Sequence, residues 1–349
     1  MCEATSDRRA YIGSFTSAGG DGITVAAVDP DTGALTALHT TKPVPDPSHL
    51  ALSPMGDVLY AVSETTDGGA VALSLGFPDR PVPLGPAVRV RGDAPTHLAL
   101  AAGHLLTANY GSAGVTVLPV RAEGRLADPA AVLRHEGGGP HPERQRAPHP
   151  HAVVPDPSGR WVLGVDLGTD AVRVYALDAF TGSLSVHREA ALRPGSGPRH
   201  LAFHPRGDLA YVVHELDSTV TSCRWNPAAG ELRPVDEVRL LPADTEVPNH
   251  PSGIVVSPDG RFAWAANRGH DSLAVLALDP TDGAPSLVAT VPCGGHWPRA
   301  LTVDASGRHL YVANERSGDV TWFAVDPATG VPERAGSLPV PAASCVVLN

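Results

Sequence analysis

Charged residues flank short apolar stretches of this 349-residue sequence. In residues 199–215, Arg199 precedes one apolar stretch and Glu215 follows the next, with Pro-Arg-Gly-Asp between the two. Apolar residues alternate at period two on both sides of that break, which predicts a β-hairpin with a glycine turn. The two strands of a hairpin begin and end at the same edge, so Arg199 and Glu215 are expected to lie close together. A cation and a carboxylate that share a concave site suit anion binding and acid/base chemistry.

The same hairpin pattern occurs six times along the chain, in residues 50–64, 97–110, 151–166, 199–215, 253–268 and 300–315. The turn glycines Gly56, Gly103, Gly159, Gly207, Gly260 and Gly307 are separated by 47, 56, 48, 53 and 47 residues. A period of this size indicates an array of similar structural units. A second hairpin follows the first in each repeat, as in residues 218–238 and 271–291. Four strands per repeat are typical of a propeller blade.

A seventh blade is expected to be shared between the chain ends. Residues 11–15, 23–38 and 344–349 supply its strands, and closing the ring in this way leaves no free sheet edge. The 36 Gly and 35 Pro and the absence of long helical periodicity agree with many short strands. We therefore predict one all-β domain over residues 1–349, a seven-bladed β-propeller with four antiparallel strands per blade, closed by the N- and C-terminal strands. Residues 1–9 are expected to form a flexible N-terminal tail.

The direction of the strands predicts which residues lie around the mouth of the central channel. Residues that precede the first strand or follow the second share one face of the ring, and they are His49, Glu64, His97, Asn109, Tyr110, His149, His151, Asp166, Arg199, Glu215, Arg268, Arg299, Asn314 and Glu315. Polar residues at strand ends often only cap a sheet, so each of them has a purely structural alternative. The clustering of arginines, histidines and carboxylates nevertheless predicts a site for an anion or for proton transfer.

Composition limits the function classes. The net charge of −11 argues against a broad surface for nucleic acid or anionic membranes, so an anionic ligand needs a local basic pocket. The N-terminus has no apolar signal segment, and no stretch has the roughly 18 apolar residues of a membrane span. We therefore expect a soluble, cytoplasmic protein. Its four cysteines, Cys2, Cys223, Cys293 and Cys345, lack metal-site spacing, and free thiols fit a reducing compartment. Cys223, Cys345, Trp161, Trp264 and Trp322 are expected to be packing residues.

An inserted loop, residues 134–151, enters the third repeated hairpin on the polar face and ends in His149-Pro150-His151. A His-x-His pair on a strand can contribute to a zinc site. Here a proline separates the histidines at a loop-to-strand junction, and no third ligand has a defined spacing. We therefore predict neither a metal nor another cofactor.

Several stretches together carry a family resemblance: YIGSFT (11–16), TANYGSAGVTVLPV (107–120), HPERQRAPHPH (141–151), VDLGTDAVRVYALD (165–178), GPRHLAFHP (197–205), HELDSTVT (214–221), SPDGRFAWAANRGHDS (257–272) and WPRALTVDASGRHLYVAN (297–314). The chain resembles the lactonase family of seven-bladed β-propellers, which includes bacterial 6-phosphogluconolactonases and fungal carboxymuconate lactonizing enzymes. The resemblance implies an active site at His151, Arg199, Glu215 and Arg268. Family members commonly carry an acidic residue before the isoleucine of the fifth hairpin, where this chain has His250 to Gly253 before Ile254.

The function expected from this resemblance is hydrolysis of a small anionic sugar lactone, with 6-phosphogluconolactone as the first candidate. Either Glu215 or His151, whose ordinary pKa lies near neutrality, would activate water as a general base. Arginines would hold the anionic substrate and the developing oxyanion. Substrate-binding residues are predicted to be Arg144, His149, His200, Arg299 and Asn109. A carboxymuconate-type lactonizing cyclase and a noncatalytic propeller that binds a ligand or protein remain alternatives, and the oligomeric state is left open.

Overall fold

A computed structural model describes residues 8–349, which form 29 short strands and three turns of 3-10 helix. The strands are β1 (Arg9–Ser14), β2 (Ile23–Val28), β3 (Leu35–Thr41), β4 (Leu50–Leu52), β5 (Val58–Ser63), β6 (Gly69–Ser74), β7 (Val82–Pro83), β8 (Val88–Arg89), β9 (Pro95–Ala101), β10 (His104–Asn109), β11 (Gly114–Pro119), β12 (Ala131–Arg134), β13 (Pro150–Pro155), β14 (Val162–Asp166), β15 (Ala171–Leu177), β16 (Leu184–Ala191), β17 (Pro198–Phe203), β18 (Leu209–His214), β19 (Thr219–Asn226), β20 (Glu231–Arg239), β21 (His250–Val256), β22 (Phe262–Arg268), β23 (Ser272–Leu278), β24 (Pro285–Pro292), β25 (Pro298–Val303), β26 (His309–Asn314), β27 (Asp319–Val325), β28 (Pro332–Pro339) and β29 (Ala343–Leu348). The 3-10 turns are Thr16–Ala18, Tyr110–Ser112 and Ala122–Gly124.

The strands of residues 8–349 form seven antiparallel sheets, which confirms the predicted seven-bladed propeller. Blade 1 has the order β29-β1-β2-β3, so the last strand of the chain pairs with the first and closes the ring. Blade 2 contains β4 to β8, and its outer edge is divided because β7 and β8 both pair with β6. Blades 3 to 7 follow in chain order with four strands each, namely β9–β12, β13–β16, β17–β20, β21–β24 and β25–β28.

The innermost strand of each blade surrounds the central channel. These strands contact one another around the ring in the order β4, β9, β13, β17, β21, β25 and β29, and β29 returns to β4. The residues at the start of each inner strand therefore meet at one end of the channel, as the strand directions predicted.

Apolar side chains are buried between neighbouring blades, and each of the seven blade interfaces has its own hydrophobic cluster. Trp161, Trp264 and Trp322 belong to three of these clusters, which confirms that they are packing residues. Trp264 also donates its indole N–H to the carbonyl of Gly330 in the next blade at 2.8 Å. Such a bond satisfies a buried polar group and fixes one blade relative to its neighbour.

The predicted turn glycines have positive φ, between 70° and 77°, at Gly56, Gly103, Gly159, Gly207, Gly260 and Gly307. An L side chain is strained in that backbone region, which explains why glycine marks every repeat. Cys223 and Cys345 are buried as predicted, whereas Cys2 lies outside the described residues. Residues 1–7 of the predicted tail also lie outside them, and Arg9 already begins β1. Within residues 8–349, no helix has the length and apolar character needed to span a membrane.

Candidate active site

A repeated irregularity of the inner strands aims polar side chains into the channel. The strand register shifts between Pro150 and Ala152, between Pro198 and His200, and between Pro298 and Ala300. The residues inside these three shifts are His151, Arg199 and Arg299. A bulged residue leaves the regular ladder, and its side chain can point in a new direction. All three line the cavity at the centre of the ring.

This central cavity has a volume of about 580 Å³. At the predicted face its polar wall includes Glu64, His97, His151, Arg199, His200 and Arg299. Toward the other face it reaches Asp304 and His309. The volume is in the range of small-molecule sites, which have a largely apolar lining and a few convergent polar groups.

Glu215, which follows β18, is held by three guanidinium groups. Its Oε1 accepts a hydrogen bond from Arg144 at 2.6 Å, and its Oε2 accepts one from Arg268 at 2.7 Å. The Nε of Arg199 lies 3.1 Å from Oε2 and makes no hydrogen bond to the described residues. The side chains of Arg199, Arg268 and Glu215 are almost fully buried, whereas Arg144 is about one-third exposed. The sequence-predicted pair of Arg199 and Glu215 therefore becomes a cluster of one carboxylate and three cations.

The arginines fix the charge of Glu215. Burial by itself raises the pKa of this carboxyl, but Arg268, Arg199, His151 and Arg144 together lower it well below the ordinary glutamate value. Glu215 is therefore an anion near neutral pH. Its carboxylate is also a weak base, because a proton would have to compete with the guanidinium groups.

His151 differs from the sequence-based expectation of a pKa near neutrality. Burial lowers its pKa well below 6.5, and Arg199 and Arg299 lower it further, although Glu215 opposes them. The same causes, burial and Arg199, lower the pKa of His200 to about 4. The imidazoles of His151 and His200 are therefore neutral at pH 7 in the protein without substrate, and they can donate or accept a hydrogen bond.

Arg299, near the start of β25 in blade 7, belongs to a second charged group of the cavity. It contacts Glu315 at 3.0 Å and Glu64 at 3.6 Å, and its guanidinium lies 4.6 Å from the ring centre of Phe15. Glu64 was among the predicted mouth residues but not among the predicted site residues. It lines the cavity, and its Oε2 accepts a hydrogen bond from Ser48.

The inserted loop brings Arg144 to the site and leaves His149 beside it. Gln145 anchors the loop, because its side-chain amide donates to the carbonyl of Leu167 and to Asp170. The ring of His149 stacks on the ring of Tyr110 with centroids 4.4 Å apart, and the Nδ1 of His149 is hydrogen-bonded to the Tyr110 carbonyl. Of the predicted substrate-binding residues, His200 and Arg299 line the cavity, Arg144 reaches Glu215, and His149 lies next to Tyr110 outside the cavity wall.

The structure places the side chain of Asn109, a predicted substrate-binding residue, away from the cavity wall. Its side chain is fully buried, its Oδ1 accepts from Thr107 at 2.9 Å, and its Nδ2 donates to Thr116 at 2.8 Å. These bonds engage both the oxygen and the nitrogen of the amide inside blade 3. Comparison of the repeats could have shown this, because Asn109 aligns with the fully buried residues His214 and Asn314, whereas the next residue is the one that reaches the mouth.

Trp297, which the sequence analysis did not select, lies at the mouth beside Arg268. Its ring centre is 5.6 Å from the Arg268 guanidinium carbon and 6.0 Å from the ring centre of His250. The carbonyl of His250 accepts a hydrogen bond from Arg268 Nε. Trp297 has φ +65°, and Ala94 and Gly197 share this left-handed conformation at the same place in their blades. The position is therefore a repeated feature of the fold that here carries an indole.

No three His, Cys, Asp or Glu side chains of residues 8–349 are grouped so that they could hold a metal ion. His149 and His151 do not act as a pair, since the first stacks on Tyr110 and the second lines the cavity.

Comparison with known proteins gives consistent results. Residues 9–348 match the family described as Lactonase, 7-bladed beta-propeller. A 6-phosphogluconolactonase from Bacillus subtilis is 35% identical over 292 residues, which cover 83% of each chain. The structure of the periplasmic gluconolactonase from Pseudomonas aeruginosa is 31% identical, with a TM-score of 0.91 and 98% of each chain covered. A structure from Bacteroides fragilis is 27% identical, with a TM-score of 0.93 and full coverage of both chains.

Proposed function

We propose that this chain, which belongs to the lactonase family of seven-bladed β-propellers, hydrolyses a small anionic sugar lactone. The first candidate substrate is 6-phosphogluconolactone. The observation that carries the proposal is the convergence of Arg144, Arg199 and Arg268 on Glu215, beside the cavity that Arg199 and Arg299 line. The protein has a net charge of −11, yet these four arginines lie at or beside one cavity. Such a local basic site favours an anionic ligand.

The proposed reaction is attack of water on the lactone carbonyl carbon, followed by cleavage of the bond to the ring oxygen. Guanidinium N–H groups can bind the substrate anion and stabilise the negative oxygen of the tetrahedral intermediate. Arg199 is well placed for this role, since its Nε has no hydrogen-bond partner among the described residues and its side chain lines the cavity.

The two general bases offered by the sequence are not equivalent in the structure. Both oxygens of Glu215 are occupied by arginines, so we assign Glu215 to holding those arginines in place. His151 lines the cavity and has a neutral imidazole, so of the two it is the one that can contact the reacting groups.

An unphosphorylated sugar lactone is the second candidate substrate. The observation in its favour is the 31% identity over almost the whole chain with a protein named as a gluconolactonase. That relative is described as periplasmic, whereas for this chain we propose the cytoplasm. A lactonizing cyclase and a noncatalytic propeller are the alternatives if no lactone is opened.

The test is the rate of lactone opening by the purified protein with 6-phosphogluconolactone and with gluconolactone, above the spontaneous rates. We expect the phosphorylated compound to be preferred and Arg199→Met to lose most turnover. Arg206→Met is the matched control, because Arg206 contacts the Pro280 carbonyl away from the cavity. Turnover of gluconolactone alone would select the second substrate. No turnover of either compound by the folded protein would contradict the proposal.

A further inference from the structure

Glu64 is a carboxylate of the cavity that the expected active site does not include. It follows β5 in blade 2 and lines the same cavity as His151, Arg199 and Arg299. Ser48 donates a hydrogen bond to its Oε2. Its Oε1 lies 3.6 Å from Arg299 and has no hydrogen bond to any of residues 8–349. Glu64 therefore has one oxygen that is fixed and one that can bind a water molecule.

Glu215 and Glu64 have opposite surroundings. Each oxygen of Glu215 accepts a hydrogen bond from a guanidinium, and the carboxylate does not line the cavity. Glu64 has only the looser contact with Arg299, which also contacts Glu315 at the shorter distance of 3.0 Å. Of these two carboxylates, Glu64 is the one whose lone pairs remain open to a ligand in the cavity.

We propose that Glu64 is the general base of the lactone hydrolysis, and this inference rests on the proposed function. A water molecule held by Glu64 Oε1 transfers a proton to the carboxylate as its oxygen forms a bond to the lactone carbonyl carbon. The tetrahedral intermediate then breaks the bond between this carbon and the ring oxygen, and the protonated Glu64 returns the proton to that oxygen. The products are one carboxylate and one hydroxyl group, and a second proton is released to solvent. His151, as a neutral imidazole, donates its N–H to the carbonyl oxygen, as neutral histidines do in other enzymes.

The electrostatics of the cavity support this assignment. Burial raises the pKa of Glu64, and Glu315 raises it further, whereas Arg299, Ser48 and Arg199 oppose the shift without cancelling it. The nearby imidazoles of His49 and His151 are neutral, because their own pKa values are lowered. A carboxylate with a raised pKa accepts a proton more readily than Glu215 does, and proteins separate acid and base roles in this way. Activity is expected to fall as the pH drops through the raised pKa of Glu64.

The experiment compares the pH dependence of kcat and kcat/KM for the wild type, Glu64→Gln, Glu64→Asp and Glu315→Gln, with circular dichroism as the test of folding. Glu64→Gln should lower kcat by about 10²- to 10⁴-fold, the usual contribution of a general base. It should also abolish the acid limb, which is the fall in activity at low pH. Glu64→Asp should keep the limb with reduced kcat. Glu315→Gln removes the same charge beside Arg299 but leaves the cavity carboxylate in place, so it should keep the limb.

The outcomes separate this proposal from the proposed function. If the wild type opens lactones and Glu64→Gln retains both kcat and the acid limb, Glu64 is not the base. An acid limb that survives in Glu64→Gln and is lost in His151→Gln would assign the role to His151 instead. If the wild type opens no lactone, the proposed function fails and this assignment fails with it.

Discussion

The replacement Glu215→Gln tests whether this carboxylate holds the arginine cluster together. The variant keeps the size of the side chain but removes the negative charge, so Arg199 and Arg268 remain buried without a counterion. Arg144, which is about one-third exposed, can turn toward solvent and should contribute least.

The size of the effect follows from the burial of the pair. Removing one partner of a buried ion pair costs about 3–5 kcal/mol, because the remaining charge stays desolvated. An unfolding entropy of about 2.1 cal/mol/K per residue over 349 residues converts this cost into a fall in Tm of roughly 4–7 °C. Glu237→Gln is the matched control, since its partner Arg193 is about half exposed, and a surface pair contributes only about 0–1 kcal/mol.

The pH dependence and added anions sharpen the test. The folded-state pKa of Glu215 is lowered, so its stabilisation is complete above the unfolded-state pKa of about 4.3 and is lost as the pH falls toward the folded-state value. The Tm difference between wild type and variant should therefore be largest near neutral pH and shrink in acid. Phosphate should raise the Tm of the variant more than that of the wild type, because an anion can replace the lost carboxylate.

The assay is thermal unfolding of both proteins at pH 7 and pH 4, each with and without phosphate. A variant with the wild-type Tm at pH 7 and no selective response to phosphate would refute the reasoning, since the guanidinium groups would then not depend on Glu215. A lowered Tm without any phosphate effect would show that the arginines move apart rather than keep an anion site.

Three other predictions concern the fold and the charge of the site. Asn109→Ala should lower the free energy of unfolding by about 1–3 kcal/mol by leaving buried partners unsatisfied, while lactone turnover per folded molecule is retained; loss of turnover at normal stability would restore Asn109 to the substrate site. Trp264→Phe removes the indole bond to Gly330 and should cost about 1–3 kcal/mol in urea unfolding, whereas an unchanged midpoint would show that this contact does not hold blades 6 and 7 together. The imidazole of His151, observed by NMR, should titrate well below pH 6.5 in the free protein because burial, Arg199 and Arg299 lower its pKa; protonation near pH 6.5 would contradict the described burial.

The sequence was most informative about the blades. The turn glycines near every fiftieth position predicted six repeats, and all six have the positive φ that the turn requires. The split seventh blade also followed from the sequence, because its strands at the two chain ends complete the pattern. These features depend on local conformation and alternation, which each short segment carries by itself.

The face of the site was predicted as well, but the side-chain directions were only partly predicted. His151, Arg199 and Arg299 line the cavity since each lies in a shifted register after a proline. The sequence signal for these directions was a proline directly before the bulged residue at the start of each of these three strands. The side chain of Asn109 lies inside blade 3, whereas the next residue is at the mouth, because a difference of one position at a strand end reverses the direction of the side chain.

The sequence by itself determined a closed ring of repeated hairpins and the face on which its polar residues meet. Only the tertiary structure decided how these residues combine. Glu215 contacts arginines from three other parts of the chain, while one oxygen of Glu64 has no hydrogen bond to residues 8–349 and lies 3.6 Å from Arg299. These contacts join residues about 16 to 71 positions apart, and their distances depend on how the blades pack. Burial and neighbouring charges, which set the pKa of each group, arise only when the ring is closed.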